Sequence, residues 1–570
     1  MKYKKILQGI LGMLLIAVIS SSCKKTFDNL LNNPNYPSPS TADVDLYLNV
    51  VQVDFNDFWN RQADIGGQLS RQQHWTGPFY RNGYTPASFD AAWTLAYASV
   101  FTNANALIPL AQSQRKYLQS GIARTLKAFT LGTLVDNFGD VPYSEATLGS
   151  DNTIPKVDAG ATSYAAVQTL LDSAIADFGK SNSATFNGMD LFYNGSKANW
   201  IKFAKTLKFK FYMQARLVDN SATAKIQALL TENNLITDPS QDFVFKYGTS
   251  ITSPDTRNPH YATDYTNNGN GDYLSNYFMW LVTTQKYGGI VNLTGDPRTR
   301  YYFYRQVGDY KWATSSTCPC FAKSQFGSSS FPSWYPSVPD KTPYCTVGKG
   351  YHGRDHGDNS GAPPDGSYTT AWGVYPAGGQ FDANQYAQVS LSMGGQGAGV
   401  NPIWLSSFTS FLKAEAALTL GITSAGTPKA LMMSGINASI TKVLAFPATV
   451  GVTPDPAYVP TSTQITNYTN LVSNNYDTAT TNDSRLNIIM SEYYIALWGN
   501  GIESYNNFRR TGKPANAQIA VAVSNPGFFM RSFFYPSVFV NRNSNAPAQK
   551  DPGNAVQKVF WDNNPDNFIK

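Results

Sequence analysis

The chain has 570 residues, 42% of them hydrophobic and only 14% charged, with a formal net charge of +6. The length allows one large domain or several ordinary ones. So small and dispersed a positive charge excludes a nucleic-acid surface, and the 14% of aromatic residues among abundant Asn, Ser, Thr and Gly is a surface suited to neutral polar ligands.

Lys2, Lys4 and Lys5 form a basic start, and Ile6 to Ile19 is an apolar run too short to span a bilayer. Three serines and Cys23 follow. Residues 1–22 read as a lipoprotein signal peptide, with Cys23 as the lipid attachment and first mature residue. Ser20 stands where such signals usually carry an apolar residue. Losing the three leader lysines lowers the charge from +6 to about +3. The Asn- and Pro-rich residues 23–40 read as an extended tether, and 41–570 as a single domain. No other stretch is long and apolar enough to span a bilayer.

Helical periodicity dominates from 41 to 235. Helices are predicted at Thr41–Asp64, Pro86–Gln112 and Ile122–Phe138, and from Thr162 or Ser163 as N-cap to Phe178. Between Lys197 and Asp219, Trp200, Phe203, Ala204, Leu207, Phe211 and Val218 make an apolar stripe. Lys197, Lys202, Lys205 and Lys208 make the solvated face. From about 236 to 401 Gly, Pro, Ser, Tyr and Trp cluster without period, which marks a loop-rich functional surface. Helices resume from 402 to 512, within Pro402–Ile422, Thr427–Leu444 and Ser484–Arg510. The fold class is mainly α, a tetratricopeptide-like scaffold of helical pairs with an irregular ligand face.

The segment LGTLVDNFGDVPYSEA, Leu131 to Ala146, sets Asp136, Asp140 and Glu145 beside aromatics. That could be an acid/base pair. Position argues otherwise: Gly139 follows the last apolar residue of a helix and Pro142 forbids its continuation. Asp140 and Glu145 then tie down a turn. No facing carboxylate partner is evident, so no catalytic residue is assigned. The competing reading is a secreted glycoside hydrolase or lyase using Asp140, Glu145 or Asp355.

Large aromatics in loops are better ligand candidates, since sugar faces stack on Trp and Tyr. These are Trp75, Tyr80, Trp312, Trp334, Tyr351 and Trp372, with Phe79 beside Tyr80. Trp93, Trp200, Trp280 and Trp404 lie in helical patterns and belong to the core. Asp355 and Asp358 could offer oxygens to calcium but lack a calcium-loop spacing, and no other cofactor is expected. Cys345 could pair with Cys318 or Cys320, or these could join His352 or His356 in a zinc site.

Several stretches together resemble the SusD/RagB family of nutrient-binding outer-membrane lipoproteins, in its second SusD-like branch. They are LLNNPNYPS after Cys23, LKAFTLGTLVDNFGDVPYSEA, YNGSKANWIKFAKTLKFKFYMQAR, GDPRTRYYF, FLKAEAALTLG, IIMSEYYIALWGNGIESYNNFRRTGKP and KVFWD. The resemblance implies a helical, non-catalytic protein, lipid-anchored in the outer membrane and facing outside. It implies a SusC-like TonB-dependent transporter as partner and oligosaccharides or oligopeptides as cargo, as in the starch-binding members. Trp75 and Tyr80 fall in the comparable early loop, Trp312 and Trp334 in the comparable middle region. Lys24 and Lys25 follow the cysteine where surface-exposed members carry acids.

Overall fold

The computed structural model describes residues 43–569, except 184, 187, 270, 286–294, 309–343, 345–349, 360–368, 522, 524 and 552–554. Cys23, Trp312, Cys318, Cys320, Trp334 and Cys345 therefore lie outside the described residues. Eleven helices of eleven or more residues form the scaffold among the described residues. They are α1 (Val44–Leu69), α2 (Thr102–Ser113), α3 (Tyr117–Phe138), α4 (Gly160–Phe178), α5 (Lys197–Ala215) and α6 (Ala222–Glu232). After the loop-rich middle come α7 (Ser406–Leu420), α8 (Pro428–Thr449), α9 (Ser462–Thr478), α10 (Asn482–Ala496) and α11 (Gly501–Thr511). Neighbours in sequence pack as pairs: α3 on α4, α4 on α5, α5 on α6, and α7 on α8. Among the described residues no helix is long and apolar enough to cross a membrane.

α3 is the central helix. Every residue from Leu118 to Phe138 is buried except Arg124 and Lys127. A helix enclosed on all sides needs no polar face, which is why its periodicity is shallow. Gly139 ends it at φ +80°, as the sequence indicates. On α5 the predicted stripe from Trp200 to Phe211 is buried, and Lys205 and Lys208 pair with Glu232 and Asp172 at the surface. Val218 lies beyond the end of α5 and is 39% exposed, so it does not belong to that stripe. The predicted N-cap of α4 is also corrected. The helix starts at Gly160 after Ala159, and its first amide donates to Asp140 Oδ1 at 2.7 Å. A carboxylate twenty residues upstream does the capping that a local Ser or Thr was expected to do.

The middle segment is less irregular than its composition indicates. β1 (Phe243–Lys246) pairs antiparallel with β4 (Val400–Trp404), Phe243 opposite Trp404. β2 (Phe303–Tyr304) pairs antiparallel with β3 (Ala371–Trp372). Short helices occupy Pro259–Asp264, Asn276–Trp280 and Thr299–Tyr302. β1 is stitched into the scaffold by Phe243, whose ring stacks on Phe203 at 3.8 Å and on Phe192 at 4.2 Å.

Buried charge joins the helices. Asp136 of α3 is fully buried. Its Oδ1 accepts from the Tyr164 hydroxyl of α4 and from Trp561 Nε1 at 3.0 Å. Its Oδ2 accepts from Lys210 Nζ of α5 at 3.1 Å and Asn506 Nδ2 of α11 at 2.9 Å. Lys210 also lies 3.2 Å from Glu503 of α11. Burial pulls the Lys210 pKa down, but the two carboxylates outweigh it and lift it above the ordinary lysine value. Glu415 of α7 holds Arg510 of α11 at 3.0 and 2.7 Å and Arg216, just past α5, at 2.8 Å. Asp296 and Glu492 both accept from Tyr468 of α9, and Asp296 holds Arg298 with both oxygens.

α1 and α11 cross at glycines. A Cβ on Gly501 would come within 1.9 Å of the Ala63 carbonyl oxygen, and one on Gly66 within 2.4 Å of the Gly501 oxygen. Asn500 caps α11 through the Glu503 amide and donates to the Pro402 and Ile403 carbonyls of β4. Gly501→Ala must push two backbones apart. We expect it to cost about 2–3 kcal/mol or to abolish folding, read by denaturant unfolding; unchanged stability would contradict the crossing geometry.

Candidate functional site

The early loop begins where α1 stops. Arg71, at φ 66°, turns the chain back under the scaffold. Its buried guanidinium donates to Gln518 O at 2.7 Å, Leu69 O at 2.9 Å and the Tyr80 hydroxyl at 3.1 Å. It also lies over the rings of Phe508 and Phe529, at 4.9 and 5.0 Å. Tyr80 stacks on Trp75 with centroids 4.8 Å apart and planes 9° from parallel. His356 completes the cluster, 4.9 Å from Trp75 and with Nε2 3.1 Å from the Tyr80 hydroxyl oxygen. Gly77 and Gly83 clamp the indole edge, since a Cβ on either would fall 2.1 Å from Trp75 Cζ2.

The loops around this cluster are laced by backbone hydrogen bonds. His74 N donates to Tyr273 O, Arg354 N to Leu274 O, and Gly357 N to Trp75 O. Thr370 N donates to His352 O and Val521 N to His356 O. Residues 72–75, 273–276, 352–358 and 369–372 thus form one layer, which brings Trp75, Tyr80 and His356 together.

The sequence expects open rings here, and the structure corrects that. Trp75, Tyr80, Tyr351 and Trp372 are each at most 2% exposed, so none offers a face to solvent. The physical reason is stacking: a flat ring in a glycine-rich loop gains more by plugging the layer than by waiting in water. Trp372 sits between His260 at 4.0 Å and Trp498 at 4.2 Å. Tyr351 lies under the Arg305 guanidinium at 4.8 Å. Trp93, Trp200, Trp280 and Trp404 are all buried, as expected of core residues, but Trp404 lies at the end of strand β4 rather than in the predicted helix, which starts only at Ser406. Among the aromatics that do reach the surface near the cluster are Phe79, Tyr84 and Tyr273, which are half-buried, and Phe528, which is 43% exposed. The Tyr80 amide donates to Pro526 O, so the loop carrying Phe528 runs beside Phe79. Only the Asn525-Pro526-Gly527 turn before it marks Phe528 in the sequence, and it lies 449 positions beyond Phe79 of the early loop.

The carboxylates take structural partners. Asp355 is fully buried and accepts from Asn276 Nδ2 at 3.2 Å and Gln518 Nε2 at 3.1 Å. Asp358 lies beside it, with its backbone oxygen 3.0 Å from His74 Nε2. No group of three or more His, Cys, Asp or Glu among the described residues is arranged to hold a metal, around these two or around His352 and His356. Glu145 bonds the Lys156 ammonium at 3.0 Å, the Lys156 amide and Asn152. The Lys156 contacts hold its carboxyl below the usual glutamate range, the opposite of what a general acid needs.

Two histidines are held neutral. Burial first, then Arg71 and His74, push His356 well below its ordinary pKa. Burial, with Arg354 adding, pushes His74 down to about 4 against the pull of Asp358. A depressed histidine lends stability above its unfolded pKa, and that stability is lost as pH falls through about 6.5 and below.

A helical-pair scaffold presenting a laced loop layer is the class of protein defined so far. The family described as "Starch-binding associating with outer membrane" matches residues 34–318, and that described as "Susd and RagB outer membrane lipoprotein" matches residues 377–550. The chain belongs to the SusD/RagB family. A SusD/RagB family protein from Bacteroides thetaiotaomicron superposes with a TM-score of 0.64 at 18% identity, over 92% of this chain and 100% of that one. A chitin-binding SusD homologue from Flavobacterium johnsoniae gives 0.58 at 19% identity, over 91% and 99%. A SusD homologue from Bacteroides fragilis gives 0.61 at 16% identity, over 91% and 99%. No curated protein matches the sequence.

His356→Gln keeps a neutral hydrogen-bonding group and removes the titration. The fall in Tm between about pH 7.5 and about pH 5 should be clearly smaller in this variant than in the wild type. An equal fall would mean that His356 is not held neutral.

Proposed function

We propose that the protein is a non-catalytic, lipid-anchored binding protein of the outer membrane. It captures oligosaccharides, or oligopeptides, and passes them to a SusC-like TonB-dependent transporter. The observation that carries this reading is the pair of family matches, in order along the chain, over residues 34–318 and 377–550. Lipidation at Cys23 supplies the anchor, and the loop layer faces outside. A chitin-binding relative among the similar structures favours glycan over peptide as cargo.

Ligand contact falls at the edge of the layer, where Phe79 and Phe528 reach solvent beside the Trp75–Tyr80–His356 stack. Trp75 and Tyr80 set the shape of that edge from beneath, as Tyr351 and Trp372 do deeper in the layer. Asp140, Glu145 and Asp355 serve as fasteners rather than acids.

Glycan-array binding by the purified chain, followed by titration calorimetry, tests this. Phe528→Ala or Phe79→Ala should weaken the best glycan about five- to twentyfold, ~1–2 kcal/mol, without changing Tm. Affinity unaltered by both variants removes this edge as the site. A chain that binds no glycan or peptide and never co-purifies with a transporter barrel removes the reading itself.

A further inference from the structure

Away from the loop layer, a second cleft of about 400 Å³ opens over the segment that holds Asp140 and Glu145. One wall is the π-helical stretch Leu95–Phe101 ahead of α2, another the turn from Pro142 to Pro155, and the third the short helix Ser537–Val540 and Arg542. Its aromatic wall is a row of three rings. Trp93 sits between Tyr97, at 4.6 Å and 36°, and Phe539, at 4.8 Å and 33°.

The walls are set before any ligand arrives. The Tyr97 hydroxyl donates to Pro142 O at 2.7 Å, and Asn543 Nδ2 to Pro155 O at 2.8 Å. Asp158 accepts from the Tyr143 and Ser144 amides, both at 2.8 Å. A cleft built this way loses little entropy on binding, and its volume suits a small molecule.

The polar rim decides what kind of molecule fits. Asn152 is bonded to Glu145 and to the Ile154 amide. Thr102 donates to Tyr97 O, Thr147 to Ala146 O, and Asn543 is held on both its oxygen and its nitrogen. Groups already paired inside the protein are poor partners for the many hydroxyls of a sugar. The exceptions are the exposed Thr153 hydroxyl and, the only charged one among the lining residues, Arg542. Its guanidinium is exposed, lines the cleft, and has no side-chain hydrogen bond or ion pair among the described residues. The nearby carboxylates are turned elsewhere: Glu145 to Lys156, and Asp90 to Ser537 and the Val538 amide.

We propose that this cleft binds a small aromatic or apolar carboxylate, its ring against the half-buried Tyr97, which Trp93 and Phe539 back from beneath, and its carboxylate on Arg542. This is a site separate from the glycan-binding edge, and it takes a different chemical class. An Arg–carboxylate contact is charge-assisted and bidentate, so it separates an acid from its neutral isostere.

Titration calorimetry with indole-3-propionate, against its primary amide, tests this on the purified chain. The acid should bind, and the amide should bind at least tenfold more weakly. Arg542→Gln, at an exposed position, should erase that difference. Ala98→Trp, filling the mouth from another exposed position, should abolish both. No binding of the acid, equal affinity for acid and amide, or binding indifferent to both variants would overturn the proposal. Loss of indole-3-propionate binding in these variants with glycan binding intact would also separate this site from the loop edge.

Discussion

The structure turns on one carboxylate shut away from bulk solvent. Asp136 sits in the middle of the central helix, fully enclosed, with donors from α4, α5, α11 and the C-terminal Trp561 aimed at its two oxygens. A buried charge costs several kcal/mol to desolvate and is tolerated only when its partners are in place. That condition fixes four helices and the chain end relative to one another. Glu415 and Asp296 repeat the arrangement, the first between α5, α7 and α11, the second between the Arg298 turn and α9. Arg531 and Asp562 close the C-terminal segment in the same way.

The loop layer inherits its position from that frame. α11 carries Asn506 and Arg509 into the Asp136 cluster at one end and meets α1 through bare glycine backbone at the other. Just past the end of α1, the Arg71 guanidinium lies over Phe508 of the same α11 and holds Tyr80. One helix therefore connects the buried ions to the Trp75–Tyr80–His356 stack. The second cleft draws on the same source, because Asp140 and Asp158 fasten the turn that follows α3. Both proposed recognition surfaces are built on loops fastened by hydrogen bonds to this frame.

Much of the scaffold was legible because burial writes itself as period. α5 shows its stripe, and Gly139 and Pro142 end α3 where they stand in the sequence. α9 was not legible: Ser462–Thr478 is rich in Asn and Thr, buries only Tyr468, Val472 and Tyr476, and depends on a Thr461–Gln464 capping box. α10 and α11 read as one pattern, but Gly499 and the Asn500 cap divide them. The family-like stretches were legible as markers and not as causes. Asp136, Lys210, Asp296, Arg298, Glu503, Arg510 and Asp562 all lie within them, and pairing between different elements, as of Lys210 with Asp136 and Glu503, leaves no local pattern. The ligand candidates erred in one direction for a related reason. Composition says that a loop is rich in aromatics, while only packing says whether a ring closes the layer, as Trp75 does, or reaches its surface, as Phe528 does.

Asp136 and Lys210 act as one unit that holds the helices together. A double-mutant cycle with Asp136→Asn and Lys210→Met, followed by denaturant unfolding of the full chain, tests it most directly. Each single change should cost ~3–5 kcal/mol, because it strands a buried charge. The double variant should lose less than the sum by at least ~1 kcal/mol. Single losses near zero, or losses that add to within ~0.5 kcal/mol, would contradict the account.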